Sequence, residues 1–124
     1  MDANERSRMI TLTLPWPPSV NHYWRMWRGR MLISLEGREY RKRVLVTLRL
    51  AGVEPMSGPL AVEIDAFPPD RRRRDTDNLL KAALDALQHA GVYDDDSQIE
   101  DLHIRRRGID GGRLVVRIAE AVPA

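Results

Sequence analysis

At 124 residues, with 43% hydrophobic and 31% charged side chains, the composition is that of one ordinary globular domain and excludes a fibrous, low-complexity or largely disordered chain. The formal charge is only +2, yet of 20 basic residues the lysines are just Lys42 and Lys81; arginine's planar fork grips phosphate at two points, so the bias points toward nucleic acid. With no cysteine there is no disulfide framework or thiolate metal site, which fits the cytoplasm and leaves oxygen or imidazole as the only donors for a metal.

Met1, Asp2, Asn4, Glu5 and Arg6 form no apolar signal core, and the longest apolar run, Val44 to Val53, is broken by Arg49. Residues 1–8 are expected to be a flexible extension of a single domain over residues 1–124. Ile10, Leu12 and Leu14 alternate with Thr11 and Thr13, the period of a half-buried strand, which stops at Pro15-Trp16-Pro17-Pro18. From Asn21 to Arg30 aromatic and basic residues interleave in what reads as a loop, with a turn at Gly29. Gly37 to Leu50 reads as a basic amphipathic helix, with Tyr40, Val44, Leu45 and Leu48 at helical spacing. Leu60, Val62, Ile64 and Ala66 predict a second strand, ended by Pro68-Pro69. Leu80, Ala83, Leu84 and Leu87 then mark a helix from about Asp77 to Ala90, closed by Gly91. Two final strands, around Gln98 to Arg106 and Arg113 to Ala119, are joined through Gly108 to Gly112, whose glycines suit a hairpin turn. The order β, α, β, α, β, β indicates a small α+β domain with a mixed or antiparallel sheet and two main helices. At this size, pairing with a second copy would help bury apolar surface, so a dimer is expected.

The most informative stretch is Pro69-Asp70-Arg71-Arg72-Arg73-Arg74-Asp75-Thr76-Asp77-Asn78-Leu79, two carboxylates one residue apart where a loop becomes a helix. Asp77 should stand one helical turn from Lys81. Mg²⁺ takes oxygen ligands and is usually held by one or two carboxylates plus substrate phosphate, a set that Asp75, Asp77 and a third acid, Asp96, would supply. Lys81 and a nearby arginine would then stabilise charge in a phosphoryl-transfer transition state. Plainer readings stand beside this one. Asp75 can be a helix cap and Asp77 a favourable first-turn acid; Asp94 to Asp96 can be a solvated turn; Asp85 is accounted for by its exposed helix position and its spacing from Lys81. The arginines at 71, 72, 73 and 74 suit a phosphate backbone, as do Arg25, Arg28 and Arg30, while Arg105 to Arg107 read equally well either way. Trp24 and Trp27 suit stacking on exposed bases or capping of the core or of a dimer seam, with core packing favoured. His22, His89 and His103 show no ligand spacing.

These residues resemble the RusA family of Holliday junction resolvases. The resemblance runs through Leu14-Pro15-Trp16-Pro17-Pro18-Ser19, Pro69 to Leu79 and Gly91 to Gln98, and spans nearly the whole chain. It implies a homodimeric endodeoxyribonuclease that uses Mg²⁺, with Mn²⁺ as a substitute, to make paired hydrolytic nicks in a four-way junction, serving recombination and repair or phage DNA processing. By the same resemblance Asp75, Asp77 and Asp96 match the family's essential aspartates, Lys81 its functional lysine, and Arg74 an arginine of the motif. An additional Asp94 makes Asp95 the rival of Asp96. The alternative from another class is a protein that binds junction DNA without cutting it.

One geometric question follows from the element lengths. From Asp77 to Ala90 the helix rises roughly 20 Å, and the six residues back to Asp96 cover nearly that distance at about 3.3 Å each. A same-chain site is the expectation, provided that the chain reverses at Gly91; the alternative is Asp96 supplied across an antiparallel dimer.

Overall fold

The computed structural model describes residues 8–121. Residues 1–7 of the expected extension lie outside the described residues, but Arg8 is tied down: its guanidinium donates to the carbonyls of Pro55 and Glu54 at 3.1 and 2.9 Å, and its own carbonyl accepts from Glu120 N–H.

Four strands make one mixed sheet. β1 (Met9–Pro15), β4 (Leu60–Phe67), β5 (Ile99–Arg106) and β6 (Arg113–Glu120) lie in the order β1-β6-β4-β5, with β1/β6 and β6/β4 antiparallel and β4/β5 parallel. β4 takes an inner position because its alternation is the most apolar: Leu60, Val62, Ile64 and Ala66 are all buried, opposite Leu114, Val116 and Ile118 of β6. Two helices cover that face. α2 (Leu35–Leu50) contributes Tyr40, Val44 and Leu48, and α3 (Thr76–His89) contributes Leu79, Ala82, Ala83, Ala86 and Leu87. These side chains form one core cluster, in which each buried leucine or isoleucine is worth about 1.5–3 kcal/mol.

The α+β class, the mixed sheet and the two main helices agree with the sequence reading; three details differ. The buried stripe of α3 is rotated toward its alanines, and Leu80 and Leu84 are only partly buried on its flank. The last two strands are not hairpin partners. β4 lies between them, because the strand that is apolar along a whole face displaces β5, whose Glu100, Asp101 and His103 are exposed and suit the sheet's edge. Finally, the segment read as a loop holds a short helix and a two-stranded ribbon: α1 (Val20–Tyr23), β2 (Trp24–Trp27) and β3 (Arg30–Ile33). The ribbon closes through Arg28 and Gly29 at φ 49° and 74°, the two left-handed residues that a tight two-residue hairpin turn requires.

Among the described residues no helix is long and apolar enough to cross a membrane.

Candidate active site

α3 begins where the four-arginine loop ends, and Asp75 occupies its N-cap position. Its side chain makes no capping hydrogen bond, so the carboxylate is not spent on the helix end. Asp77 follows in the first turn, exposed. Beside Asp75 a groove of about 640 Å³ is walled by Trp16, Ser19 and His22 on one side and Arg72, Arg73, Asp75 and Asn78 on the other. The Pro-rich run after β1 and the short α1 thus face the loop; Trp16, Ser19 and Asn78 lie within the motifs that carry the family resemblance but have no role assigned by sequence, and His22 has no such signal.

The four arginines are not equivalent. Arg74 is held by Asp70 at 2.8 Å, donates to the carbonyl of Arg72 at 3.1 Å and lies 5.5 Å from the Trp16 ring centroid, so it braces the loop. Asp70 closes this brace. Its carboxylate accepts from Arg72 N–H at 2.8 Å, and that bond together with Arg74 holds its pKa below the ordinary value. Arg71, Arg72 and Arg73 remain exposed. Arg106 donates to the carbonyl of Arg74, which ties the end of β5 to the same loop.

Gly91 supplies the required reversal at φ 88°, with Val92 N–H bonded to the carbonyl of Leu87 at 3.1 Å. The returning chain enters a 3-10 turn over Asp96–Gln98 in which the acids have different tasks. Asp95 accepts from Ser97 N–H at 3.2 Å, and the Gln98 side chain accepts from the N–H groups of Asp94 and Asp95 at 2.9 and 3.2 Å, a reciprocal cap. The Ser97 bond, with Asp96 beside it, lowers the Asp95 pKa; Asp96 is shifted the other way, first by its bond with Asp95 and then by desolvation. Asp96 faces α3, where it lines a second groove with Trp24, Lys81, Leu84, Asp85 and Gln88.

Asp96 and Lys81 therefore meet in one groove, and Lys81 stands a single turn from Asp77. The carboxylates themselves do not close into a cluster: among the described residues, no three acids or histidines lie close enough to hold a metal ion together. Asp85, in the same groove, is engaged by Arg41 at 2.9 Å and by the hydroxyl of Tyr23, which donates to it. Burial, then this bond, raises the Tyr23 pKa, so the phenol stays protonated. The cluster ties α1, α2 and α3 together.

The remaining predicted basic residues divide by environment. Arg25, Arg28 and Arg30 are exposed on the ribbon. Arg105 and Arg107 instead bond Asp65 of β4 at 3.2 and 3.0 Å, and Arg117 joins them at 2.7 Å, caging a carboxylate that is only 4% exposed on the sheet face away from the helices. Trp24 packs partly buried against the core, edge-on to Tyr23 with centroids 4.9 Å apart, whereas Trp27 is exposed.

Residues 15–119 match the sequence profile of the family described as endodeoxyribonuclease RusA. The chain is 46% identical over 112 residues, 89% of its length, to a crossover junction endodeoxyribonuclease of Shigella sonnei, covering 93% of that protein. It is 45% identical over the same shares to that of Escherichia coli K12. With that of Enterobacteria phage 82 it shares 44% over 111 residues, covering 88% of this chain and 92% of the phage protein.

Proposed function

Because this chain belongs to the RusA family of endodeoxyribonucleases, we propose that it resolves four-way DNA junctions by paired, divalent-metal-dependent hydrolysis of two strands, acting as a homodimer in the cytoplasm. The observation that carries the site assignment is the uncommitted Asp75 carboxylate at the N-cap of α3, next to Asp77 and at the mouth of an arginine-walled groove.

Asp75, Asp77 and Asp96 are the residues that would hold Mg²⁺ or Mn²⁺. All three offer oxygen donors, and none of the three side chains is tied up in a cap or an ion pair with a described residue. Asp96 also shares a proton-favouring contact with Asp95, which a cation would relieve. When bound, the ion supplies polarisation of the scissile phosphoryl group and a better water nucleophile. The chain's own residues do the rest. Arg71, Arg72 and Arg73 hold phosphates beside the cut, and the Lys81 ammonium, one turn along α3 from Asp77, counters the negative charge that develops on the phosphoryl oxygens. Asp95 and Gln98 hold the turn that presents Asp96.

Within one subunit the backbone of Asp96 is bonded to Gln88, three turns along α3 from Asp77, and its side chain lines the groove of Lys81, whereas Asp75 lines a different one. We infer that Asp96 of the partner subunit completes each site, in place of the same-chain arrangement expected from chain length. A two-fold dimer then gives one complete site per strand to be cut.

The test is cleavage of a labelled synthetic four-way junction beside a linear duplex of the same sequence, with Mg²⁺, with Mn²⁺ and with EDTA. Symmetric nicks in the junction alone, dependent on the ion, are the expected result. Tight junction binding with no cleavage under any divalent ion would overturn the enzyme reading in favour of a junction-binding protein.

A further inference from the structure

The β2–β3 ribbon leaves apolar surface where the core cannot use it. Trp27 is 52% exposed at its tip, with Met26 and Met31 paired across the strands and more than 60% exposed. Its two tryptophans have separate fates: Trp24 packs at the root, and Trp27 stands out with the guanidiniums of Arg25 and Arg28 at 5.8 and 5.5 Å from its ring centroid. An aromatic face flanked by arginines is the composition that holds single-stranded nucleic acid, with stacking on the base and charge on the phosphate.

The ribbon is also firmly mounted. Ser34 at its foot donates through both backbone and side chain to the carbonyl of Tyr23 at 2.9 Å, and its hydroxyl accepts from Gly37 N–H at 3.0 Å. Gly37 lets α2 approach so closely that a Cβ there would fall 2.5 Å from the Tyr23 carbonyl oxygen. The mounting touches both halves of the candidate site: His22 lines the groove of Asp75, and Trp24 lines the groove of Lys81 and Asp96. A four-residue strand spans about 13 Å, roughly four nucleotide steps. A tip mounted there reaches the branch point when the scissile phosphate lies within a few nucleotides of it.

We propose that this ribbon reads the branch point of the substrate, with the Trp27 ring stacking on a base unpaired at the crossover and Arg25, Arg28 and Arg30 holding the phosphates on either side. The proposal rests on the resolvase reading and adds the element that separates branched from linear DNA. A linear duplex keeps its bases stacked on one another and offers Trp27 no free face, so the stacking contribution exists only on the junction.

The experiment uses full-length Asp77→Asn protein, which keeps the substrate intact, and compares it with the same protein carrying Trp27→Ala or Trp27→Phe. The probes are a four-way junction with 2-aminopurine at the crossover bases and a linear duplex with the same label; binding, label fluorescence, melting temperature and oligomeric state are read. Trp27→Ala should weaken junction binding about 5- to 100-fold and abolish the label response, with duplex binding, melting temperature and oligomeric state unchanged, and Trp27→Phe should restore most of both signals. Junction binding and label response unaffected by Trp27→Ala would overturn the proposal while leaving the resolvase reading intact. So would an equal loss on junction and duplex, or a shift to a smaller assembly, which would make the ribbon a contact between copies. If the protein with Trp27 intact shows no preference for the junction, the resolvase reading falls and the proposal with it.

Discussion

The backbone N–H of Asp96 donates to Oε1 of Gln88 at 3.3 Å, which seats the acidic turn against the last turns of α3. Gln88 lies about 16 Å along the helix from Asp77 at 1.5 Å per residue. Lys81 shares a groove with Asp96 and Asp75 lines another, and among the described residues no three acids or histidines lie close enough to hold an ion together. Mixing Asp77→Asn and Asp96→Asn subunits should therefore restore cutting, since one site of the heterodimer would combine wild-type Asp75 and Asp77 with a wild-type Asp96. Each homodimer alone should be inactive. Gel mapping of the nicked junction checks this, with one nick per complex expected; a dead mixture with a demonstrated heterodimer would return Asp96 to its own chain.

Asp95 and Asp96 are adjacent yet differently occupied, and their substitutions should part accordingly. If Asp96 is the metal ligand proposed above, Asp96→Asn should slow cleavage on the order of a thousandfold, with little change in stability. Asp95→Ala removes the bond to Ser97 N–H and should loosen the turn, giving a small loss of stability and a modest loss of rate. Single-turnover cleavage alongside urea unfolding separates the two. A thousandfold effect at Asp95 with full activity in Asp96→Asn would reverse the assignment.

Asp65 gives the fold a dependence on acid. Burial opposes its ionisation, but hydrogen bonds from Arg105 and Arg107 and the charges of Arg107 and Arg117 outweigh it, so its pKa falls below the ordinary 3.8. A carboxyl with a depressed folded-state pKa contributes its full stability above the unfolded value, and loses it as the pH drops through the folded value. Stability should thus decline below about pH 4, and Asp65→Asn should flatten that part of the profile. At neutral pH the substitution should cost about 2 kcal/mol, less than for a fully enclosed pair because the arginines are partly solvated. Urea midpoints from pH 2 to 7 would show both; an unchanged profile in the variant would mean that the cage contributes nothing.

Much of this was legible from the sequence, and the exceptions share a cause. Alternation at Leu12 to Leu14 and Leu60 to Ala66 marked strands whose buried faces are those observed, and Gly91 marked the end of α3. The acid pair at Asp75 and Asp77 was visible from its position at a loop-to-helix boundary. The cage around Asp65 was not, because its arginines come from β5, the following loop and β6, and only sheet pairing brings them together. The same holds for β4 between β5 and β6: chain neighbours suggest a hairpin, while burial decides the order. The ribbon's four-residue strands are too short for alternation to stand out from an aromatic and basic stretch. The cap that distinguishes Asp95 from Asp96 did carry a local signal, an acid followed three residues later by Gln98.

The most direct test of the account is to follow cleavage and binding of one labelled four-way junction by the wild-type protein and by Asp77→Asn, with Mg²⁺ for cleavage and with Ca²⁺ or EDTA for binding. The account predicts that the variant loses cutting on the order of a thousandfold while binding the junction at least as tightly and melting at the same temperature. Cleavage preserved in Asp77→Asn, or cleavage and binding lost together with the fold, would contradict it.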